Sequence, residues 1–324
     1  MAQHFLLSAA ARTISLAAIL RMSDAEAHAT FVAIRWADNE GVPYCPHCGC
    51  STVWTYATRQ IWKCAACARQ FSVTSGTIFA NRKLAIRDYL AAIALFCNGA
   101  KGVSALQLSR DLDVQYKTAF VLAHKLREAM GSTLDNGTQL GGTVEVDGAY
   151  FGGGQKPANK KADRIDRRLA ENQTGKRLVV VVLRERNGRV LPFVCPRESE
   201  GAAIVKAKVA ADAIVHADEA SGWDVLHGSF DMRRVNHSVE FMGADGACTN
   251  QAESFFSRLR RSEIGVHHRI SGKNLDCYAN EMAWRETSRR VSTGAQWNAT
   301  TAAALACPVS QRWAGYWQRA KKAA

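Results

Sequence analysis

Three carboxyl groups and four thiols, in separate parts of the chain, have the types and spacing to hold metal ions. Asp147 lies in residues 143–151 (TVEVDGAYF), where Val144 and Val146 point one way and Glu145 and Asp147 the other, with Gly152, Gly153 and Gly154 behind. This reads as a short strand ending in an acid. Asp before Gly is also ordinary turn chemistry, so its company decides. A second acid, Asp218, ends the strand-like residues 213–217. Residues 250–261 (NQAESFFSRLRR) read as a helix with Asn250, Glu253, Ser257 and Arg260 on one face and Phe255, Phe256 and Leu259 on another. Two aspartates and a third acid or amide can hold two divalent cations about 4 Å apart, an arrangement that serves phosphodiester chemistry without a covalent intermediate. Hard oxygen donors suit Mg2+.

The thiols form a different site. Cys45-Pro46-His47-Cys48 and Cys64-Ala65-Ala66-Cys67 are two C-x-x-C pairs fifteen residues apart, with strand-like residues 53–56 and 61–63 between them. Two such knuckles bring four sulfurs into a tetrahedron around zinc. A closed four-sulfur site has no position for water, so this zinc is structural, and so small a pair of hairpins would scarcely fold without it. His47 and Cys50 are spare groups. With ten cysteines in all, the pattern is metal spacing in a reducing compartment rather than a disulfide framework.

Composition narrows the partner. A chain of 324 residues with 47% hydrophobic content buries real cores in two or three domains. The net charge of +13 and the pI of 9.4 point to nucleic acid. Residues 5–20 are apolar but interrupted by Arg12, too short for a membrane span and without the basic lead of a signal peptide. The expected location is the cytoplasm, at the nucleoid, with residues 1–21 an extension that contributes little.

Several elements must position these groups. Ser23 and Glu26 form a capping-box pattern, opening a helix that carries Phe31, Ile34 and Trp36 toward the ribbon. Residues 84–97 have helical periodicity. Residues 103–111 and 115–130 are two amphipathic helices joined by a tight turn at 112–114. With Gln115 and Lys117 at the start of the second, this is either a helix-turn-helix reader or an ordinary helical hairpin. Residues 156–168 (KPANKKADRIDRR) hold Lys156, Lys160, Lys161, Arg164, Arg167 and Arg168 directly after the candidate acid, where they would bind phosphates. Residues 177–184 read as a strand buried on both faces, 190–195 as its hairpin partner across Asn187-Gly188, and 202–211 as a helix. Three strands, a helix and a strand, with acids ending the first and fourth strands, is the order of an RNase H-like α/β core. In that topology Asp147 and Asp218 meet. Residues 265–269 are expected to be a loop bearing His267 and His268, and 273–291 one long helix. The tail, with Trp297, Trp313, Tyr316, Trp317, Lys321 and Lys322, would be a DNA or dimer contact. The expected segments are an N-terminal helical extension (1–40), the ribbon (41–80), a helical DNA-binding segment (81–135), the catalytic core (140–292) and the tail (293–324).

The succession CPHCG, WKCAACARQFSVTSGTIF, GVSALQLSRDL, VEVDGAYFGG, HADEASGW, VNHSVEF, TNQAESFFSRLRR and YANEMAWRE resembles bacterial insertion-sequence transposases of the DDE class with an N-terminal zinc ribbon, over about residues 23–290. The resemblance implies an RNase H-like core, Mg2+-dependent cleavage and strand transfer at element ends, and a dimer or larger assembly holding two ends. Asp147 and Asp218 match the first two acids. Glu253 matches the third, with Asn250 its rival, and Arg260 matches a position usually held by Lys, where a cation clamps phosphate. Cys248 in place of His, and Phe256 in place of Trp, depart from the pattern. Two other readings fit the same motifs: a DNA-binding regulator with a dead core, and an RNase H-like nuclease that hydrolyses without joining.

Overall fold

The computed structural model describes residues 4–152, 159–165, 177–236, 243 and 246–322, and the chain divides into two compact units, Met1–Thr133 with Ser288–Ala324, and Leu134–Thr287.

In the first unit, the short α1 (Leu16–Leu20) precedes α2 (Asp24–Arg35). The capping box at the start of α2 is formed: Ser23 N–H donates to Glu26 Oε2 at 2.7 Å, and Glu26 N–H to Ser23 Oγ at 3.2 Å. A three-stranded antiparallel sheet follows, β1 (Val53–Tyr56), β2 (Ile61–Cys64) and β3 (Gln70–Ser72). Strands this short cannot enclose a core of their own. The helix supplies the missing apolar face: buried Trp36 meets Trp62 edge-on at 5.4 Å and Phe71 at 6.4 Å. Next to it, the Arg35 guanidinium donates to the carbonyls of Ser72, Val73 and Ser75, and burial lowers its pKa to about 10. Beyond the ribbon come α3 (Ile86–Asn98), α4 (Ala105–Asp111) and α5 (Tyr116–Gly131), with the turn between the last two passing through Asp113 at φ 50°.

The second unit is a five-stranded mixed sheet: β4 (Thr143–Gly152), β5 (Arg177–Glu185), β6 (Val190–Cys195), β7 (Ile214–Asp218) and β8 (Asp231–Val235), in the order β6-β5-β4-β7-β8. The first three strands form an antiparallel meander, and β7 and β8 run parallel to β4. Helices α6 (Gly201–Lys208), α7 (Asn250–Ser262) and α8 (Leu275–Thr287) flank it, with α7 on β4 and β5 and α8 along β6. This is the RNase H-like arrangement. Val179 to Leu183 of β5 are fully buried, as a strand covered on both faces must be.

The structure corrects several sequence expectations. Asp147 does not end its strand: β4 continues to Gly152, paired with β5 throughout, while its pairing with β7 stops at Val146↔Ala217. β8, whose DMRRV sequence lacks an apolar run, has no counterpart among the expected strands. The long helix expected over 273–291 is a 3-10 turn, Gly272–Asn274, followed by α8, and Glu263–His267 is a π-helical turn extending α7 rather than a loop. His267 packs edge-on against Tyr278 at 4.6 Å. Ser292 then caps α9 (Thr293–Ala306), and α10 (Tyr316–Lys322) ends the described chain. Both belong to the first unit, where Trp313 stacks fully buried on His124 at 4.1 Å and Trp297 Nε1–H donates to Leu90 O at 3.0 Å. Trp313 is therefore core rather than contact surface, and Trp297 is half-buried against α3. Among the described residues no helix is long and apolar enough to cross a membrane.

Candidate active site

The register of β4 against β7 fixes the central relationship. Thr143↔Ile214 to Val146↔Ala217 are paired in parallel, so the next residues, Asp147 and Asp218, stand side by side where the two strands part. Alternation puts Glu145 and Asp147 on one face of β4, and that face is covered by α7. Phe256 of α7 lies 6.2 Å from Phe151 of β4, and its apolar face is buried through Phe255, Phe256 and Leu259.

The start of α7 is capped from the sheet rather than from its own sequence. Thr249 makes no side-chain cap, and instead Glu145 Oε2 accepts the N–H groups of Gln251 at 2.8 Å and Ala252 at 3.1 Å. Glu145 is fully buried, and its charge is matched by Arg186 Nε at 3.0 Å from Oε1. His216 of β7 completes the network. Its Nδ1 takes the Cys248 N–H at 3.1 Å and faces Arg186 Nη2 at 3.1 Å, so the ring hydrogen belongs on Nε2. Burial and the Arg186 charge both lower the pKa of His216, keeping the ring neutral. Arg186 Nη2 also donates to Cys248 Sγ, which gives a physical role to the cysteine that departs from the family pattern. Glu145, Arg186 and His216 were not singled out in the sequence. A buried acid on the same strand face as Asp147 was the available signal.

The acids share one neighbourhood. Burial, then the Asp218 charge, push the Asp147 carboxyl up to about 8, with Glu198 and Glu253 adding to the shift and the Gly148 N–H, 2.7 Å from Asp147 Oδ1, opposing it. Glu198 was absent from the sequence expectation, and it is pushed up to about 7 by burial and by Asp218. Asp218 Oδ1 accepts the Ala220 N–H at 3.2 Å. Among the described residues neither aspartate has a protein cation as partner. Hard oxygen donors of this kind are the type that a divalent cation takes, and among the described residues the compact group of metal-ligating atoms is the cysteine quartet. Glu253 and Asn250 lie one turn apart on the exposed face of α7. Arg260 is exposed farther along, its guanidinium 5.8 Å from the Phe151 ring centroid.

Of the expected phosphate-binding residues, Lys160, Lys161 and Arg164 are exposed around the 3-10 turn Lys161–Asp163, and Lys156, Arg167 and Arg168 lie outside the described residues. In the first unit, Gln115 and Lys117 are exposed at the start of α5 and line a cavity of about 700 Å3. Lys117 Nζ stands 5.5 Å over the Trp317 ring, and Trp317 Nε1–H donates to Lys117 O, so α10 already occupies part of this helix end.

The four cysteine sulfurs of the ribbon all lie within 4.8 Å of one another, with Cys45 to Cys67 at 3.7 Å and Cys48 to Cys64 at 3.5 Å. A tetrahedron with corners about 2.3 Å from its centre has edges of about 3.8 Å, so the quartet fits zinc. The Cys67 N–H, chief among its neighbours, brings the Cys64 thiol down to about 6, toward the thiolate that a metal needs.

A cysteine-quartet ribbon joined to an RNase H-like sheet with converging acids is the build of insertion-sequence transposases that carry a zinc ribbon. Residues 139–287 match the ISXO2-like transposase domain and residues 22–70 the transposase zinc-ribbon domain, so the chain carries both parts of that family. The ribbon match begins at α2, as the packing of Trp36 and Arg35 on the small sheet requires. An uncharacterized protein in transposable element ISH50 of Halobacterium salinarum is 26% identical over 270 residues, covering 79% of this chain and 88% of that relative. No solved structure gives a significant match.

Proposed function

We propose that the protein binds the terminal inverted repeats of its own insertion sequence and cuts and joins DNA there, with Mg2+ held by Asp147, Asp218 and Glu253. The observation that carries this reading is the pairing of β4 with β7, which brings Asp147 and Asp218 side by side, with no protein cation paired to either among the described residues, under a helix capped onto the same strand. When bound, the cations would activate the attacking hydroxyl or water and stabilise the leaving oxygen. The chain's own residues do the rest. Glu145 holds the start of α7, and with it Glu253, at the strand that carries Asp147. Arg260 clamps a phosphate beside the acids, Lys160, Lys161 and Arg164 neutralise the DNA backbone, and the zinc ribbon with α4 and α5 grips the element ends. A dimer would hold the two ends together.

The test is an end-labelled duplex carrying the inverted repeat, incubated with the full zinc-loaded chain and Mg2+. Nicking at the element end followed by joining to target DNA is expected, and Asp147→Asn should abolish both while the DNA is still bound. Binding without cleavage would make the protein a regulator, and hydrolysis without joining a nuclease.

A further inference from the structure

The first unit holds a cavity of about 700 Å3 that the proposed cleavage chemistry does not use. Three segments line most of it: residues 80–84, the side of α5 from Lys117 to Lys125, and residues 313–318. Its volume falls within the range of about 300–1,000 Å3 that small-ligand sites occupy. Arg82, Lys83, Lys117 and Lys125 belong to the lining, and no Asp or Glu stands among the described residues that form it. Four cations around one cavity call for an anion. The same lining carries aromatic rings. Lys117 Nζ stands 5.5 Å over the ring of Trp317 on α10, so a stacking surface and a cation lie together. Trp313, 1% exposed, also lines the cavity, and its indole N–H has no acceptor among the described residues. A buried donor left open in a cavity wall points to an acceptor that a ligand brings. Lys125 is half-buried, and burial lowers its pKa although the Glu128 charge opposes the shift, so an anion beside it would offset its desolvation.

A ligand with both a negative charge and a flat ring is a nucleotide. A helix that reads duplex DNA needs a bare side, because the major groove, about 12 Å wide, takes one helix. This side of α5 shares its cavity with residues 80–84 and α10, so it suits a single strand rather than a groove. We propose that the cavity takes an unpaired nucleotide of a DNA strand, with the base against the aromatic side chains and the phosphates on the lysines and Arg82. Aromatic rings beside a cationic track hold unpaired strands whatever their sequence. This deepens the reading of α4 and α5 as part of the grip on the element ends, and rests on it.

The test uses the full zinc-loaded chain without Mg2+, with a labelled short oligo-dT strand as the probe and a blunt duplex carrying the inverted repeat beside it, both followed by anisotropy over a salt series. Lys125→Met should weaken strand binding and flatten its dependence of log K on log salt by about 0.7, the loss of one phosphate contact on a single strand. Its thermal midpoint should be no lower than that of the wild type, because a half-buried ammonium is gone. Trp317→Leu should weaken strand binding by about fivefold or more, and Trp317→Phe, which keeps a stacking ring, should restore most of it. Strand affinity and slope unchanged in Lys125→Met, or Trp317→Phe as weak as Trp317→Leu, would overturn the proposal. Equal losses on the duplex would overturn it too, since the cavity would then meet paired DNA, and so would dTMP that competes as well as the strand, since the site would then belong to a free nucleotide. All of these leave the proposed function standing. A duplex that the wild-type chain does not bind would remove the grip on element ends and this proposal with it.

Discussion

Glu145 Oε2 accepts the Gln251 N–H at 2.8 Å, so the strand that carries Asp147 is also the N-terminal cap of the helix that carries Glu253. The acid is fully buried and paired with Arg186, and its removal leaves a cation and two helix N–H groups without a carboxylate. Breaking one side of a buried pair costs about 3–5 kcal/mol. Glu145→Gln is therefore expected to destabilise the RNase H-like unit by that order in urea unfolding, and to weaken Mg2+ binding although Asp147 and Asp218 are untouched. Unchanged unfolding would mean that the cap does not hold the helix in solution.

The parts of this site that were legible in the sequence are those with a local signature. Asp147 and Asp218 follow alternating or apolar stretches, the Cys45–Cys48 and Cys64–Cys67 spacing announces a metal knuckle, and the two faces of residues 250–261 separate by helical period. What stayed hidden depends on distant partners. Glu145 is one polar residue in a strand until α7 arrives to be capped. Glu198 comes near Asp147 only through the turn after β6, whose carboxyl rests against Gly148. The aromatic tail looked like a binding surface because the ring on which Trp313 stacks, His124, is far along the chain.

Asn250 and Glu253 compete for the third place. Both are exposed on α7, but the Glu253 charge acts on Asp147 and a neutral amide brings no such charge. Glu253→Gln should therefore lower Mg2+ affinity and cleavage sharply, and Asn250→Ala should leave Mg2+ affinity near the wild-type value. Calorimetry on the two variants decides, and the opposite ranking would give the place to the amide.

In the ribbon, Cys45→Ser removes one of four sulfurs from a sheet whose apolar face depends on Trp36, Trp62 and Phe71. Structural zinc contributes about 10–16 kcal/mol in small zinc modules, comparable to or larger than the stability of a whole domain. The variant should lose its zinc by metal analysis, change its tryptophan fluorescence as Trp62 is exposed, and bind element ends weakly. End binding that persists without zinc would remove the ribbon from DNA recognition.

Lys160, Lys161 and Arg164 are exposed in one short stretch of the catalytic unit. If each neutralises one phosphate, replacing all three with Ala should flatten the dependence of log K on log salt by about 0.9 for every phosphate left unneutralised. Filter binding over a series of salt concentrations measures the slope. An unchanged slope would place these residues away from the DNA.

The acids give the metal-free protein a signed pH dependence. Asp147 is raised to about 8, by burial and then by Asp218, and Glu198 to about 7, by burial and then by Asp218. Both groups ionise at lower pH in the unfolded chain than in the folded one, so the folded state binds more protons through this window, and stability falls as pH rises through it. In magnesium-free buffer the thermal midpoint of the catalytic unit should drop between about pH 6 and about pH 8, where the zinc ribbon keeps its metal. Adding Mg2+ should reverse the drop, because the cation favours the ionised acids. Asp147→Asn should flatten the profile by removing the most shifted group. A midpoint that rises over the same range would mean that the carboxylates are already neutralised, and the opening between β4 and β7 would then have no need of a cation.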